Sequence, residues 1–382
     1  MLPLRGYIWL ADRGALLYVI SYDRIAVVRV EKGKPAYESY WKSLRRVLMI
    51  LAFSLLLSTA AQAQDFYKDK TIRFIVGQAA GGGYDTYTRT IARHMNKHIP
   101  GNPAVTVENM TGAGSLILAN YLFNNTKPDG LTIGNWNSAL VLNQALGDRN
   151  AKFDARKFGW IGAPTKSIPV CLIMGATGLK SFDDIVKSGK TVKMGGTGPG
   201  SHSIDMPLML SKMTGAKFSV VSGYQGTAQI RLALQRGEVD GLCTNWDSVL
   251  ATQKDLLDVK GGEGMIPFII HAPVPEPEAK SAVLVSSVIK DPSDLHTYKV
   301  YMAQMEYSRP LTTSPGTPKA RLEILRRAFK TTLADPDFLA QASKLKLDIA
   351  HVAGEECDKL VDEVLSIPPK VKENLGYLSS SK

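Results

Sequence analysis

From Asp65 onward, short β-branched apolar runs alternate with glycine-rich loops and with stretches where apolar residues recur every three or four positions. Thr71 to Val76 predicts a strand that runs into Gly77-Gln78-Ala79-Ala80-Gly81-Gly82-Gly83. Tyr87, Ile91 and Met95 then share one helical face, Asp85 sits in the first turn as a candidate N-cap, and Pro100-Gly101 stops the segment. The unit repeats: a strand over Ala104 to Glu108, the loop Asn109-Met110-Thr111-Gly112-Ala113-Gly114, and a helix over Ser115 to Asn125. After the turn at Lys127-Pro128-Asp129-Gly130, a third strand, Leu131 to Asn135, leads through Trp136-Asn137-Ser138 into another helix. Three βα units in succession predict a parallel sheet.

A second series follows a hinge-like stretch from Gly159 to Pro169. It comprises strands at Val170 to Met174, Thr191 to Met194, Phe218 to Val221 and Val239 to Cys243, with helices between them. Its loops are Gly195-Gly196-Thr197-Gly198-Pro199-Gly200-Ser201-His202, Ser222-Gly223-Tyr224-Gln225-Gly226-Thr227 and Asn245-Trp246-Asp247. Proline density at Pro267 and Pro273 to Pro277 suggests a second passage between lobes. From Pro315 onward the pattern is helical, with a further helix starting at Asp335-Pro336.

The first 63 residues stand apart. Leu44-Arg45-Arg46, the apolar run Val47 to Leu57 and the small residues up to Ala63 have the form of a secretory signal cleaved after Ala63. Met1 to Ser43 precede it, which suggests a misassigned start, with translation beginning near Leu44 or Val47. The whole chain has 382 residues and a net charge of +11, but removing residues 1 to 63 leaves 37 basic against 31 acidic side chains, a net of +6. These charges are scattered and no nucleic-acid motif accompanies them, so nucleic acid is not an expected partner. An oxidising compartment leaves Cys171 and Cys243 either bonded or buried as thiols. No Cys or His spacing suits a metal, and no cofactor is expected.

A glycine loop between strand and helix exposes backbone N–H groups beside a positive helix end and so attracts anions. A Walker loop needs lysine where this chain has Gly83, and the dinucleotide fingerprint fails at Ile117 and is displaced around Gly196 to Ser201. No G-x-S-x-G elbow supplies a nucleophilic serine. Ser115 and Ser201 are candidate caps that could also donate to an anion, His202 has no assignable partner, and Asp85 could cap or hold a ligand amine. Several anion-ready loops over two α/β lobes describe a binding protein that closes on a small carboxylate.

These segments resemble a known family. Ile75 to Asp85, Val107 to Gly114, Pro128-Asp129-Gly130, Gly223-Tyr224-Gln225-Gly226, Leu234 to Gly241, Pro315 to Pro318 and Ala334-Asp335-Pro336 are similar to the substrate-binding proteins of tripartite tricarboxylate transporters, the Bug family. The resemblance covers Asp65 to about Ile349. It implies an α/β, two-lobe periplasmic binding protein of the Venus-flytrap, type II-like form with a mainly parallel sheet in each lobe. The expected division is lobe 1 over 64–165 and 285–382, and lobe 2 over 166–284. Carried over by position, the ligand loops are Gly81, Gly82, Gly83 and Asp85; Gly112, Ala113 and Gly114; and Thr197, Gly198, Gly200 and Ser201. Asn137, Ser138, Asn245 and Trp246 are added by loop position. The chain departs from the family at Gln78-Ala79-Ala80, where a proline is usual, and around Pro273 to Tyr307.

The expectation is a periplasmic, monomeric solute-binding protein that takes a small organic carboxylate to membrane transporter subunits without catalysis. The alternatives are a secreted enzyme acting on a carboxylate and a ligand-presenting sensor.

Overall fold

The structure is a computed structural model describing residues 66–380, apart from Pro199, Lys260, Pro275 and Glu276, together with two short strands near the start of the chain. Those strands, β1 (Leu16–Ser21) and β2 (Arg24–Arg29), pair antiparallel within a unit of their own, Met1–Gln62. The signal segment lies outside the described residues.

In the unit Ala63–Lys382, the chain lays down β3 (Thr71–Val76), β4 (Ala104–Asn109), β5 (Thr132–Asn135) and β6 (Gly159–Ala163) in one sheet. It then builds a second sheet from β7 (Pro169–Met174), β8 (Val192–Gly195), β9 (Phe218–Val221), β10 (Gly241–Asn245), β11 (Met265–Ile270) and β12 (Val283–Leu284). β13 (Leu311–Thr313) and β14 (Val352–Ala353) return to the first. The orders are β14-β6-β13-β5-β3-β4 and β12-β11-β7-β10-β8-β9.

The two-lobe α/β architecture is the expected one, and the βα units are parallel, as β4-β3-β5 and β9-β8-β10. The full sheets are mixed, because β13 and β14 run against the other strands of the first sheet and β7 against those of the second.

The helix Gly83–Met95 shows why periodicity is a reliable guide here. Tyr87, Ile91 and Met95 are fully buried, each contributing roughly 1.5–3 kcal/mol. In β3, Ile72, Phe74, Ile75 and Val76 are buried, consistent with a strand covered on both faces. Cys171 and Cys243 stand directly opposite each other on β7 and β10 and form a disulfide, while Cys357 is a buried thiol.

Two segments join the sheets. Gly159 to Ala163 is strand, so the first passage is confined to the residues between β6 and β7. The second is not at the proline cluster: Pro267 lies inside β11 at a register shift, and β12 still belongs to the second sheet. The chain passes back at 305–310, hydrogen-bonded alongside the first passage, with Ser308 N donating to Thr165 O (2.9 Å) and Ser167 N to Met305 O (2.8 Å). Proline density marked an irregular strand edge instead.

The last helix, Pro369–Ser380, lies against the helix His202–Thr214. Lys212 sits 4.0 Å over the Tyr377 ring, and Leu375 is fully buried. Among the described residues no helix is long and apolar enough to cross a membrane.

Candidate functional site

Three helices of the α/β units point their N-termini at one place between the lobes. Gly82, Gly83 and Tyr84 begin the helix Gly83–Met95; Ser201, His202 and Ser203 begin His202–Thr214; Thr227 begins Thr227–Gln235. All seven line one narrow cavity of about 50 Å³. The opposite wall is the end of β10 and the turn after it: Cys243, Thr244, Asn245 and Ser248. Gln78 and Asn137 complete it from the first lobe. Each helix start has backbone N–H groups without an intrahelical partner and carries roughly half a positive charge. Among the described residues no lysine, arginine or carboxylate side chain lines this cavity.

Of the residues expected from sequence, Gly82, Gly83, Asn137, Thr197, Ser201 and Asn245 line the cavity. The others serve its frame. Asp85 is not the N-cap; Gly82 is, and Asp85 lies in the first turn, reaching back so that Oδ2 accepts from Gly81 N–H at 3.0 Å. Its Oδ1 accepts from Arg89 Nε and Asn109 Nδ2, both at 2.9 Å. Burial alone would raise the Asp85 pKa, but these three donors hold it below the ordinary carboxylate range. Three donors hold this carboxylate, and it does not line the cavity. Ser138 is buried at the start of the helix Ala139–Ala145, outside the cavity wall.

Gly112, Ala113 and Gly114 form a tight turn with φ of 128°, 46° and 64°. Gly198 of the other lobe packs on it so closely that a Cβ there would lie 2.7 Å from the Ala113 carbonyl carbon. Gly200 fits equally close to Asn143, and its carbonyl accepts from Asn137 Nδ2 at 3.2 Å. Ala79 N donates to Gln225 O across the same gap at 2.8 Å. These glycines therefore let the two lobes meet backbone to backbone. Neither Ser115 nor Ser201 makes a side-chain capping bond: Ser115 accepts from Gln78 Nε2, and Ser201 donates to Gly198 O.

Beneath the cavity lies Arg309, which sequence reasoning did not single out. It is fully buried and has φ of 55°. Its Nη1 is 2.9 Å from Asp247 Oδ2, and Nη2 donates to Asp247 Oδ1 (3.0 Å) and Ser248 Oγ (2.7 Å). The guanidinium lies 4.4 Å from the Tyr87 ring centre. Burial works against its charge, and Asp247 more than restores it. The sequence offered no motif at Arg309, because only tertiary pairing gives it a role.

His202 and Asn245 are the cavity groups left open. His202 Nδ1 and Asn245 Oδ1 are buried without a hydrogen-bond partner among the described residues. Burial, with the nearby positive charge of Arg309, lowers the His202 pKa to about 4, so the ring is neutral at pH 7. Deeper in the same helix, burial raises Asp205 to about 7, although Tyr301 OH donates to it at 3.3 Å.

A second, larger groove of about 520 Å³ lies on the other side of the Arg309–Asp247 pair. It is lined by Ile168, Trp246, Asp247, Leu250, Leu339 and neighbouring residues, and no N-terminus of the three longer helices opens into it.

Two α/β lobes joined by two adjacent segments, with helix ends converging between them, make a fold that can close on a ligand. No established family profile matches the chain. It is 28% identical over 307 residues, 78% of this chain and 82% of the relative, to a UPF0065 protein of the TAR-I ttuE-ttuC' intergenic region of Agrobacterium vitis. The periplasmic binding protein BugD superposes with a TM-score of 0.64 at 20% identity, over 82% of this chain and 98% of its own. MatC from Rhodopseudomonas palustris, solved with bound malate, gives a TM-score of 0.62 at 19% identity, over 80% of this chain and 99% of its own. The resemblance read from the glycine loops thus has counterparts in both comparisons, and the chain shares the two-lobe fold of BugD and MatC.

Proposed function

We propose that the protein is a periplasmic solute-binding protein whose inter-lobe cavity takes the carboxylate of a small organic acid, and that it hands this ligand to tripartite tricarboxylate-type membrane subunits. The observation that carries the reading is the convergence of three helix N-termini on a cavity with no lining carboxylate, a field suited to one anionic headgroup. Gly82, Gly83, Asn137, Thr197 and Ser201 are the residues that would touch it, with Asn245 on the opposite wall. Gly81, Gly112, Ala113, Gly114, Gly198 and Gly200 would act by letting the lobes close. MatC, with malate bound, is a neighbour that supports the ligand class.

Binding in place of catalysis is supported by the state of His202. Its Nδ1 has no carboxylate to orient it, so the relay that activates a hydrolytic nucleophile is not assembled. A cavity of about 50 Å³ holds little more than a headgroup and a water or two, so entry requires the lobes to part and binding draws them together.

The test is a thermal-shift screen of ligand-stripped protein against mono-, di- and tricarboxylates, aromatic acids and amino acids. A ligand at about 100 times its Kd adds roughly 2.7 kcal/mol to stability, a shift of a few degrees. No shift with any carboxylate would overturn the reading, and turnover of a bound one would restore the enzyme alternative.

A further inference from the structure

The headgroup end of the cavity is accounted for by helix N-termini; its far wall is not. Asn245, at the end of β10, is 5% exposed, lines the cavity, and its Oδ1 is buried without a hydrogen-bond partner among the described residues. Among the described residues its Nδ2 makes no hydrogen bond either, so the assignment does not depend on which way round the amide is placed. The amide thus stands at the cavity wall with neither its donor nor its acceptor paired. Beside it, His202 adds a second unpaired buried ring nitrogen, Nδ1.

Charge limits what can sit there. Three helix starts together supply roughly 1.5 positive charges, enough for one carboxylate and short of two. Arg309, behind the wall, is already neutralised by Asp247, and among the described residues no lysine or arginine side chain reaches the cavity wall. A carboxylate at Asn245 would satisfy Nδ2 and leave Oδ1 facing an acceptor. A hydroxyl or a primary amide would satisfy both.

We propose that the ligand carries one carboxylate and, at its other end, a neutral group that both donates and accepts a hydrogen bond, a hydroxyl or a primary amide, held by Asn245 with His202 beside it. This rests on the carboxylate reading above. It makes Asn245 the residue that selects among acids of equal length.

The test is isothermal titration of the full chain with three acids of one length: glutarate, its monoamide glutaramate, and 5-hydroxypentanoate, together with the four- and six-carbon sets. At the fitting length the monoamide or hydroxy acid is expected to bind roughly tenfold or more tighter than the dicarboxylate, the cost of an unsatisfied buried acceptor. Asn245→Leu is expected to remove that preference, so that the three acids of the fitting length bind within about threefold of one another, held by the helix-terminus contacts alone. A dicarboxylate that binds as tightly as its monoamide, or a preference that survives Asn245→Leu, overturns the assignment while leaving the carboxylate reading in place. Silence from every acid sinks the carboxylate reading, and this inference with it.

Discussion

Arg309 and Asp247 form a two-point ion pair at the seam between the lobes: Arg309 follows the second connecting strand, and Asp247 opens the helix after β10. The same guanidinium donates to Ser248, whose side chain lines the cavity, while Asp247 lines the groove behind. The pair is thus a partition between two spaces and a tie between two lobes.

Removing one member should leave a buried charge alone. Arg309→Met is expected to destabilise the fold by about 3–5 kcal/mol in urea denaturation. The double variant Arg309→Met with Asp247→Leu should recover most of that loss, since a buried pair replaced by apolar groups of similar size is often neutral. A double variant as unstable as the single one would show that the pair holds the seam by shape and not by charge.

Gly198 tests lobe closure directly. A methyl group there would meet the main chain of Ala113 and Gly114, which cannot swing aside as a side chain would. Gly198→Ala should weaken ligand binding roughly tenfold or more, in line with losing the closed population, while the ligand-free melting temperature moves little. Unchanged affinity would mean that this contact is not part of the bound state.

Asp205 gives the pH dependence a sign. Its folded pKa, about 7, lies above the ordinary 3.8, so the folded state binds the extra proton. The stability it confers is complete below pH 4 and is lost as pH rises toward 7. Asp205→Asn, which can still accept from Tyr301, should therefore stabilise the protein at pH 8, by at most about 4 kcal/mol at 1.36 kcal/mol per pKa unit, and the gain should shrink steadily down to pH 4. A gain that is the same at both ends would assign the effect to packing.

The disulfide closes a loop of 72 residues and has Cys243 at the cavity wall. Cys171→Ser with Cys243→Ser should cost roughly 4 kcal/mol by loop-closure entropy, seen as a lower melting temperature. Dithiothreitol should reproduce it in the parent protein and change nothing further in the double variant.

Much of the fold was legible because its signals are local. Thr71 to Val76 and Phe218 to Val221 are strands at the predicted limits, and Asp335-Pro336 caps its helix as expected, Asp335 Oδ1 accepting from Asp337 N. What failed was long-range. Pro267 to Pro277 looked like a connection, yet the passage lies at 305–310, where nothing in the composition changes. The glycine loops were readable because a backbone that touches another chain segment closely cannot carry a Cβ, as at Gly198 against the main chain of Ala113 and at Gly200 against the Asn143 side chain. Gln78, Thr227 and Thr244 line the cavity only through which loops the sheets set face to face, and no spacing encodes that. Asp85 carried a cap-like signal, and its partner proved to be the N–H of Gly81.

The two connections run side by side, tied through Thr165 and Ser308. Paired strands resist shear and bend most easily about one line, like a crease pressed into card. A molecule lodged between the panels would set how far the crease can fold, and its length would be translated into an angle. A membrane partner that grips both panels would measure its cargo without touching it.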